Sequence, residues 1–119
     1  MLHFKDKLSL KYTSMTPINA VIITEEKETL QIINKFEKEN FMILKIVCET
    51  NSIIEGINTI QLKKPDLVFL DISFKEDTFF NMLGELEFSI PKLVFISANK
   101  QDAVIAFKQN AIDFITRFN

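Results

Sequence analysis

The chain has 119 residues, of which 47% are hydrophobic and 25% are charged, a mixture that fits one globular domain and excludes a disordered chain. Fourteen basic and sixteen acidic residues give a formal net charge of -2, and no basic stripe indicates direct binding to nucleic acid. One cysteine, Cys48, excludes an internal disulfide, and no apolar run approaches the ~20 residues of a membrane span; we therefore expect a cytoplasmic protein with no membrane partner.

The first part of the chain alternates between two hydrophobic periodicities. The β-branched run INAVIIT at residues 18–24 predicts a buried strand, and residues 25–40 carry apolar side chains at helical spacing. The run FMILKIVC at residues 41–48 predicts a second strand. Because a lysine side chain stays hydrated, Lys45 places this strand at an edge of the predicted sheet.

A second helix and a fully apolar strand follow. Ser52 and Glu55 have the spacing of a capping box, which predicts the start of the helix, and Pro65 predicts its end. The run DLVFLD at residues 66–71 is apolar between its two terminal acids, as expected for a central strand of a parallel sheet. Asp71 therefore stands at the carboxyl end of a buried strand.

The last part of the chain repeats the pattern. Apolar residues between Phe79 and Leu86 predict a third helix, and residues 103–110 predict a short fourth helix. The runs KLVFIS at residues 92–97 and AIDFIT at residues 111–116 predict two further strands. Alternating strands and helices with short links predict an α/β fold, a parallel sheet with helices on both faces.

Polar side chains stand at the carboxyl ends of the predicted strands, where functional groups of such sheets gather. They are Thr24, Glu25, Asp71, Ser97 and Arg117. Thr24 and Ser97 are also good helix N-caps, and Arg117 also suits a solvated surface. Three roles remain open for Asp71 at this point: a cap, a metal ligand, or a nucleophile held in a pocket.

Three motifs carry a resemblance to a known family: KPDLVFLDI, LVFISA and AVIAFKQNAIDFI. Through them, residues 19–118 resemble the receiver domain of bacterial two-component response regulators, and are most similar to receivers that precede LytTR-type DNA-binding domains. The resemblance implies a flavodoxin-like, doubly wound sheet of five parallel strands in the order 2-1-3-4-5. It also implies a signalling domain rather than an enzyme, with at most self-catalysed phosphorylation and dephosphorylation.

The resemblance assigns a phosphoryl-accepting site to the strand ends. Asp71 corresponds to the aspartate that accepts a phosphoryl group from a histidine kinase. Mg²⁺ would be bound by the carboxylates of Glu25 and Asp71 and by the backbone carbonyl of Ser73. A hard divalent ion on oxygen ligands neutralises the charge that would otherwise oppose attack by a carboxylate on a phosphoryl group. On this reading, Asp71 is a nucleophile.

Further positions correspond to the parts of the family that sense the phosphoryl group. Ser97 matches the switch hydroxyl, Phe114 matches the aromatic residue that turns inward on activation, and Arg117 stands at the position of a near-invariant lysine. The conformational change would pass to an output domain or a downstream protein.

The sequence departs from the family pattern at several of these positions. Thr24 replaces the first acid of the usual acidic pair, so we expect Mg²⁺ binding to be weak. Arg117 replaces a lysine, and Lys75 stands where a proline is expected. These departures keep a second reading open, a pseudo-receiver that acts as a protein-interaction module without phosphorylation. A small flavin- or nucleotide-binding domain is a third reading, disfavoured because the acidic loop TEEKE would repel phosphate.

The ends of the domain carry a separate expectation. The sequence ends at Asn119, a few residues after the fifth predicted strand, so we expect the final helix of the receiver domain, residues 17–119, to be missing. Residues 1–16 form an extension in which Leu8, Leu10 and Tyr12 alternate with polar residues, which predicts an extra strand. We expect this extension to cover the vacated sheet face, in the same chain or across a homodimer.

Overall fold

The computed structural model describes residues 16–71, 76–85, 91–108 and 111–116, and strands alternate with helices along them. The strands are β1 (Ile18–Ile23), β2 (Leu44–Thr50), β3 (Leu67–Asp71), β4 (Lys92–Ser97) and β5 (Asp113–Thr116). The helices are α1 (Lys27–Glu39), α2 (Ile53–Lys63), α3 (Glu76–Leu83) and α4 (Ala103–Lys108), and a 3-10 turn, Lys100–Asp102, leads into α4.

The five strands form one sheet in the order β2-β1-β3-β4-β5, and every neighbouring pair is parallel. The observed order is the predicted order 2-1-3-4-5, so the prediction of a flavodoxin-like fold is confirmed. β2 lies at an edge of the sheet, as Lys45 predicts, and the Lys45 side chain is exposed. All five residues of β3 are buried, as the apolar run predicts for a central strand.

Apolar side chains alternate between the two faces of the sheet and form two separate clusters. On one face, Ile33 and Phe36 of α1 pack against a cluster that includes Phe69 and Val94. The opposite face is covered by α2, α3 and α4, through the side chains Ile57, Ile60, Phe79, Leu83 and Ala106. The sheet is therefore doubly wound, with α1 alone among the described helices on its face.

The first three residues of the predicted second strand are in a turn instead. Phe41 and Met42 are each 70% exposed, and the Ile43 N–H donates to the Asn40 carbonyl at 2.9 Å to close that turn. β2 therefore begins at Leu44 and extends to Thr50, so the predicted bounds 41–48 were wrong by two to three residues. The apolar run included a turn, because periodicity does not distinguish exposed from buried apolar residues in a short segment.

The ends of α2 follow their predicted signals. Ser52 is the N-cap, and its hydroxyl accepts a hydrogen bond from the Glu55 N–H at 3.2 Å. The helix ends at Lys63, and its C-cap, Lys64, adopts the left-handed conformation with φ 46° directly before Pro65. No helix in the described part of the chain has both the length and the apolar composition needed to cross a bilayer.

Several expectations fall on other parts of the chain. The extra strand around Leu8, Leu10 and Tyr12, the Ser73 carbonyl and Arg117 all lie outside the described residues. β5 is the last described element, so the expected absence of a final helix stays a prediction, as does the homodimer.

Candidate functional site

Three predicted site residues lie at the carboxyl ends of neighbouring strands. Thr24 follows β1 directly, Asp71 is the last residue of β3, and Ser97 is the last residue of β4. Because the strands are parallel, these ends meet at one rim of the sheet. In the register of β3 and β4, Asp71 pairs with Ile96. Ser97 therefore lies one position further along β4 than the residue opposite Asp71.

Asp71 is a buried carboxylate held by two hydroxyl groups. Only 1% of the residue is exposed. Its Oδ2 accepts a hydrogen bond from Thr24 Oγ1 at 2.9 Å and a longer one from Thr29 Oγ1 at 3.5 Å. A buried carboxylate needs such donors, because desolvation of an unpaired charge is costly. Asp71 is therefore part of the folded framework and not a surface acid.

The Thr24 hydroxyl connects two segments of the rim. It donates to Asp71, and it also accepts a hydrogen bond from the Glu26 N–H at 3.0 Å. Glu26 is the N-cap of α1 and makes no side-chain capping bond, so Thr24 satisfies a backbone donor close to the start of that helix. Position 24, where an acid was expected, thus carries a hydroxyl group that donates a hydrogen bond to Asp71.

Thr29 reaches Asp71 from α1. It is buried in the first turns of the helix, on the same side as Ile33 and Phe36, which are four and seven residues further along. Sequence reasoning missed this residue. The signal was present, because the spacing places a hydroxyl on the apolar stripe that faces the sheet.

Ser97 makes a different set of contacts at the end of β4. Its hydroxyl donates to Asp102 Oδ2 at 2.6 Å and accepts from the Asn99 N–H at 3.1 Å. By alternation from Phe95, the Ser97 side chain lies on the face covered by α2 to α4, whereas Asp71 shares the α1 face with Phe69. No hydrogen bond joins Ser97 to Asp71 within the described residues.

Phe114 lies on the same face as Ser97. It pairs with Phe95 in the β4–β5 register, and its half-buried side chain packs against the cluster beneath α2 to α4. The two predicted switch residues, Ser97 and Phe114, are thus on one side of the sheet, while Asp71 and its threonine donors are on the other.

Glu25 lies on an open cleft at the ends of β1 and β2. The cleft has a volume of about 460 Å³ and is lined by Thr24, Glu25, Lys27, Leu30, Glu49, Thr50, Asn51 and Glu55. Glu25 is exposed, and no hydrogen bond between Glu25 and Asp71 is found in the described ranges. Within those ranges, no group of three or more His, Cys, Asp or Glu side chains is arranged to bind a metal ion. Among the described residues, the hydroxyls of Thr24 and Thr29 donate to Asp71, and Glu25 does not contact it by a hydrogen bond.

Comparison with known proteins finds relatives but no matching family model. The chain is 30% identical over 101 residues to a response regulatory protein of Vibrio cholerae, covering 84% of this chain and 42% of that protein. It is 32% identical over 101 residues to a response regulatory protein of Vibrio vulnificus, covering 84% of this chain and 41% of that protein. The transcriptional regulatory protein BtsR of Escherichia coli is 30% identical over 101 residues, with coverage of 84% and 42%. The chain thus spans about two-fifths of the length of these curated relatives.

Solved structures have the same fold. The response regulatory domain of protein mrkE from Klebsiella pneumoniae superposes with a TM-score of 0.71 at 24% identity, covering 86% of this chain and 84% of that one. The REC domain of RcsB from Salmonella enterica, determined in the presence of the phosphomimetic BeF3-, has a TM-score of 0.71 at 14% identity, covering 87% and 80%. At these identities, the likeness establishes the fold of the chain.

Proposed function

The chain is a receiver domain of the response-regulator family, and we propose that it accepts a phosphoryl group on Asp71 from a histidine kinase and relays the signal by a conformational change. The observation that carries this proposal is the position of Asp71. A carboxylate ends the central strand, almost completely buried, beside Thr24 and next to the strand that ends in Ser97. Burial of a carboxylate at this position costs free energy that an apolar side chain would not, which supports a chemical role for Asp71.

The proposed transfer forms one bond and breaks another. A carboxylate oxygen of Asp71 attacks the phosphorus of a phosphohistidine, the new O–P bond gives an acyl phosphate, and the P–N bond to the histidine breaks. The histidine nitrogen leaves with the electron pair of that bond. Because Thr24 holds Oδ2, the orientation of the carboxylate is set before the phosphoryl donor arrives.

Receiver domains generally use Mg²⁺ for this reaction, and the donor set supports a weakly bound ion here. Glu25 and Asp71 are carboxylates at adjacent strand ends, the oxygen ligands that Mg²⁺ prefers, and the Ser73 carbonyl completes the proposed set. Bound Mg²⁺ would neutralise charge on the phosphoryl oxygens. With a neutral hydroxyl at Thr24, we expect weaker binding than an acidic pair gives.

The relay would use the opposite face of the sheet. Ser97 and Phe114 share that face, and we propose that Ser97 binds the phosphoryl group, together with Arg117, while Phe114 changes its packing. The matched relatives are longer than this chain and one is a transcriptional regulatory protein, so an output domain or a downstream protein would receive the signal. We also propose that the phosphoryl donor is a histidine kinase and that the protein is cytoplasmic. We propose further that the chain is most similar to receivers that precede LytTR-type DNA-binding domains.

The decisive experiment is incubation with acetyl phosphate and Mg²⁺ followed by intact-mass measurement. We expect the mass of one phosphoryl group to be added to the wild type and none to D71N. Asp66→Asn is the matched control, because Asp66 lies at the opposite end of β3, where its side chain accepts from the Asn19 N–H at 3.0 Å. Modification that persists in D71N contradicts the site assignment.

One observation favours a second candidate, a pseudo-receiver that signals through protein contacts alone. The buried Asp71 carboxylate accepts hydrogen bonds from the hydroxyls of Thr24 and Thr29. The same contacts would stabilise this carboxylate in a protein that binds no metal and is not phosphorylated. An unmodified wild-type mass under saturating acetyl phosphate and Mg²⁺ would support this candidate and reject phosphorylation of Asp71.

A further inference from the structure

The turn that follows β4 contains a short hydrogen bond between two polar side chains. Ser97 Oγ donates to Asp102 Oδ2 at 2.6 Å, and Asp102 is the last residue of the 3-10 turn that leads into α4. An O–H···O bond of this length to a carboxylate belongs to the stronger, charge-assisted class. The Asn99 N–H donates to the same Ser97 oxygen at 3.1 Å, so the hydroxyl is held from both sides.

A serine hydroxyl has one proton to donate. In this structure that proton is directed to Asp102, on the face of the sheet opposite to Asp71. An oxygen of a phosphoryl group on Asp71 is an acceptor and would need the same proton. Asp102 and the phosphoryl group therefore cannot both receive it.

We propose that Asp102 is a latch for Ser97: its carboxylate holds the hydroxyl away from Asp71, and a phosphoryl group on Asp71 must compete with it. This inference rests on the proposed function and adds a positioning residue to it. Asp102 is adjacent to Ala103, the first residue of α4. Release of the latch therefore frees the turn that leads into α4, close to Val104, whose apolar side chain is 58% exposed. Phosphorylation would in this way change the surface of α4.

The proposal predicts that removing the latch strengthens binding of a phosphoryl analogue. Beryllofluoride with Mg²⁺, titrated into the protein and followed by NMR, should bind about threefold more tightly to D102A than to wild type, since a half-buried, charge-assisted hydrogen bond no longer competes. D102N should fall between them, because an amide oxygen still accepts but carries no charge. The matched control is Q101A, an exposed residue of the same 3-10 turn, which should leave affinity unchanged.

A double-mutant cycle separates a latch from a merely structural turn. If Asp102 acts through Ser97, D102A has no effect on beryllofluoride affinity in an S97A background. A turn with only a structural role predicts the opposite pattern: D102A lowers stability and does not tighten binding. Unchanged or weaker binding by D102A, or the same gain with and without Ser97, would overturn the proposal.

The Asn99 amide gives a readout that does not depend on phosphoryl chemistry. When Asp102 no longer fixes Ser97, the Asn99 N–H loses its held acceptor, so D102A should shift its NMR signal and speed its hydrogen exchange. An Asn99 amide that is identical in D102A and wild type refutes the latch directly. Failure of every protein to bind beryllofluoride would instead reject the proposed function, and with it the competition, while the Asn99 signal still decides whether Asp102 holds Ser97.

Discussion

Asp71 and Asp102 each accept a hydrogen bond from a hydroxyl near the carboxyl ends of the strands, but the two bonds join different parts of the chain. The Thr24–Asp71 bond connects residues 47 positions apart, and both groups are buried. The Ser97–Asp102 bond connects residues five positions apart and is only partly buried. The first joins strands β1 and β3, whereas the second closes a single turn.

The difference separates a fixed part of the rim from a part that can change. A contact between distant, buried residues forms only when the sheet is assembled, so its loss should lower global stability. A contact within one turn can open while the sheet stays intact. The proposed acceptor carboxylate thus lies in the fixed part, and the proposed sensing hydroxyl lies in the part that can change.

The strongest way to break the fixed part is Thr24→Asp. A carboxylate there would face Asp71 at the position of a hydroxyl 2.9 Å away, and two buried like charges repel. Without Mg²⁺ we expect the free energy of unfolding to fall by about 3 kcal/mol. Mg²⁺ should restore part of it, because an ion that binds only the folded state stabilises that state, and calorimetry should show tighter Mg²⁺ binding than wild type.

Thr24→Asn is the control, since it has a similar size and no charge. Urea unfolding with and without Mg²⁺ compares the two variants. If Mg²⁺ does not raise the stability of Thr24→Asp more than that of Thr24→Asn, and does not bind Thr24→Asp more tightly, then residue 24 does not face the ion.

Thr24→Val tests the same contact without adding charge. Valine keeps the shape of threonine but removes the donor to Asp71 and the acceptor for the Glu26 N–H. We expect the free energy of unfolding to fall by about 2 kcal/mol. The control is Thr59→Val on α2, whose hydroxyl makes only a 3.6 Å contact with the Cys48 sulfur. Equal losses in the two variants would show that the Thr24 contact adds nothing beyond the presence of a threonine.

The sequence predicted the bounds of β3 and β4 well because a proline precedes each of these strands. β4 has the predicted bounds, Lys92–Ser97, directly after Pro91, and β3 begins one residue later than predicted, after Pro65. The second strand was placed too early because Phe41 and Met42 look like strand residues but are exposed in a turn. Burial there depends on the path of the chain, which a short apolar run does not encode.

The sequence predicted that three polar residues lie at one rim of the sheet, but it did not predict their contacts. Parallel strand ends share a rim, so Thr24, Asp71 and Ser97 could be placed together from topology alone. Whether a hydroxyl donates to one carboxylate or another depends on side-chain direction and helix packing. Thr29 reaches Asp71 because α1 packs on that face, and Asp102 reaches Ser97 because a 3-10 turn folds back. Spacing places Thr29 on the face of α1 that packs on the sheet, but it does not identify the hydrogen-bond partner of either hydroxyl.

Ser97→Ala tests the part of the rim that can change. The loss of stability should stay below about 1 kcal/mol, because the Asp102 carboxylate is only half-buried and water can replace the hydroxyl. Hydrogen exchange should become faster in the turn after β4 and stay unchanged in β1 and β3. A loss as large as that of Thr24→Val, or faster exchange throughout the sheet, would contradict the distinction between the two contacts.

The smallest loss of stability among the single variants is expected for Thr29→Val. This variant tests whether a second hydroxyl contributes to holding Asp71. Its hydroxyl lies 3.5 Å from Asp71 Oδ2, at the limit of a hydrogen bond, and valine fits the buried position beside Ile33. We expect a loss of about 0.5 kcal/mol in urea unfolding. The informative measurement is the double variant with Thr24→Val. If both hydroxyls serve Oδ2, the remaining threonine compensates in each single variant, so the double variant should lose more than the sum of the two. Additive losses would mean that Thr29 contributes only to packing and that, of the two threonines, Thr24 is the one that holds the carboxylate.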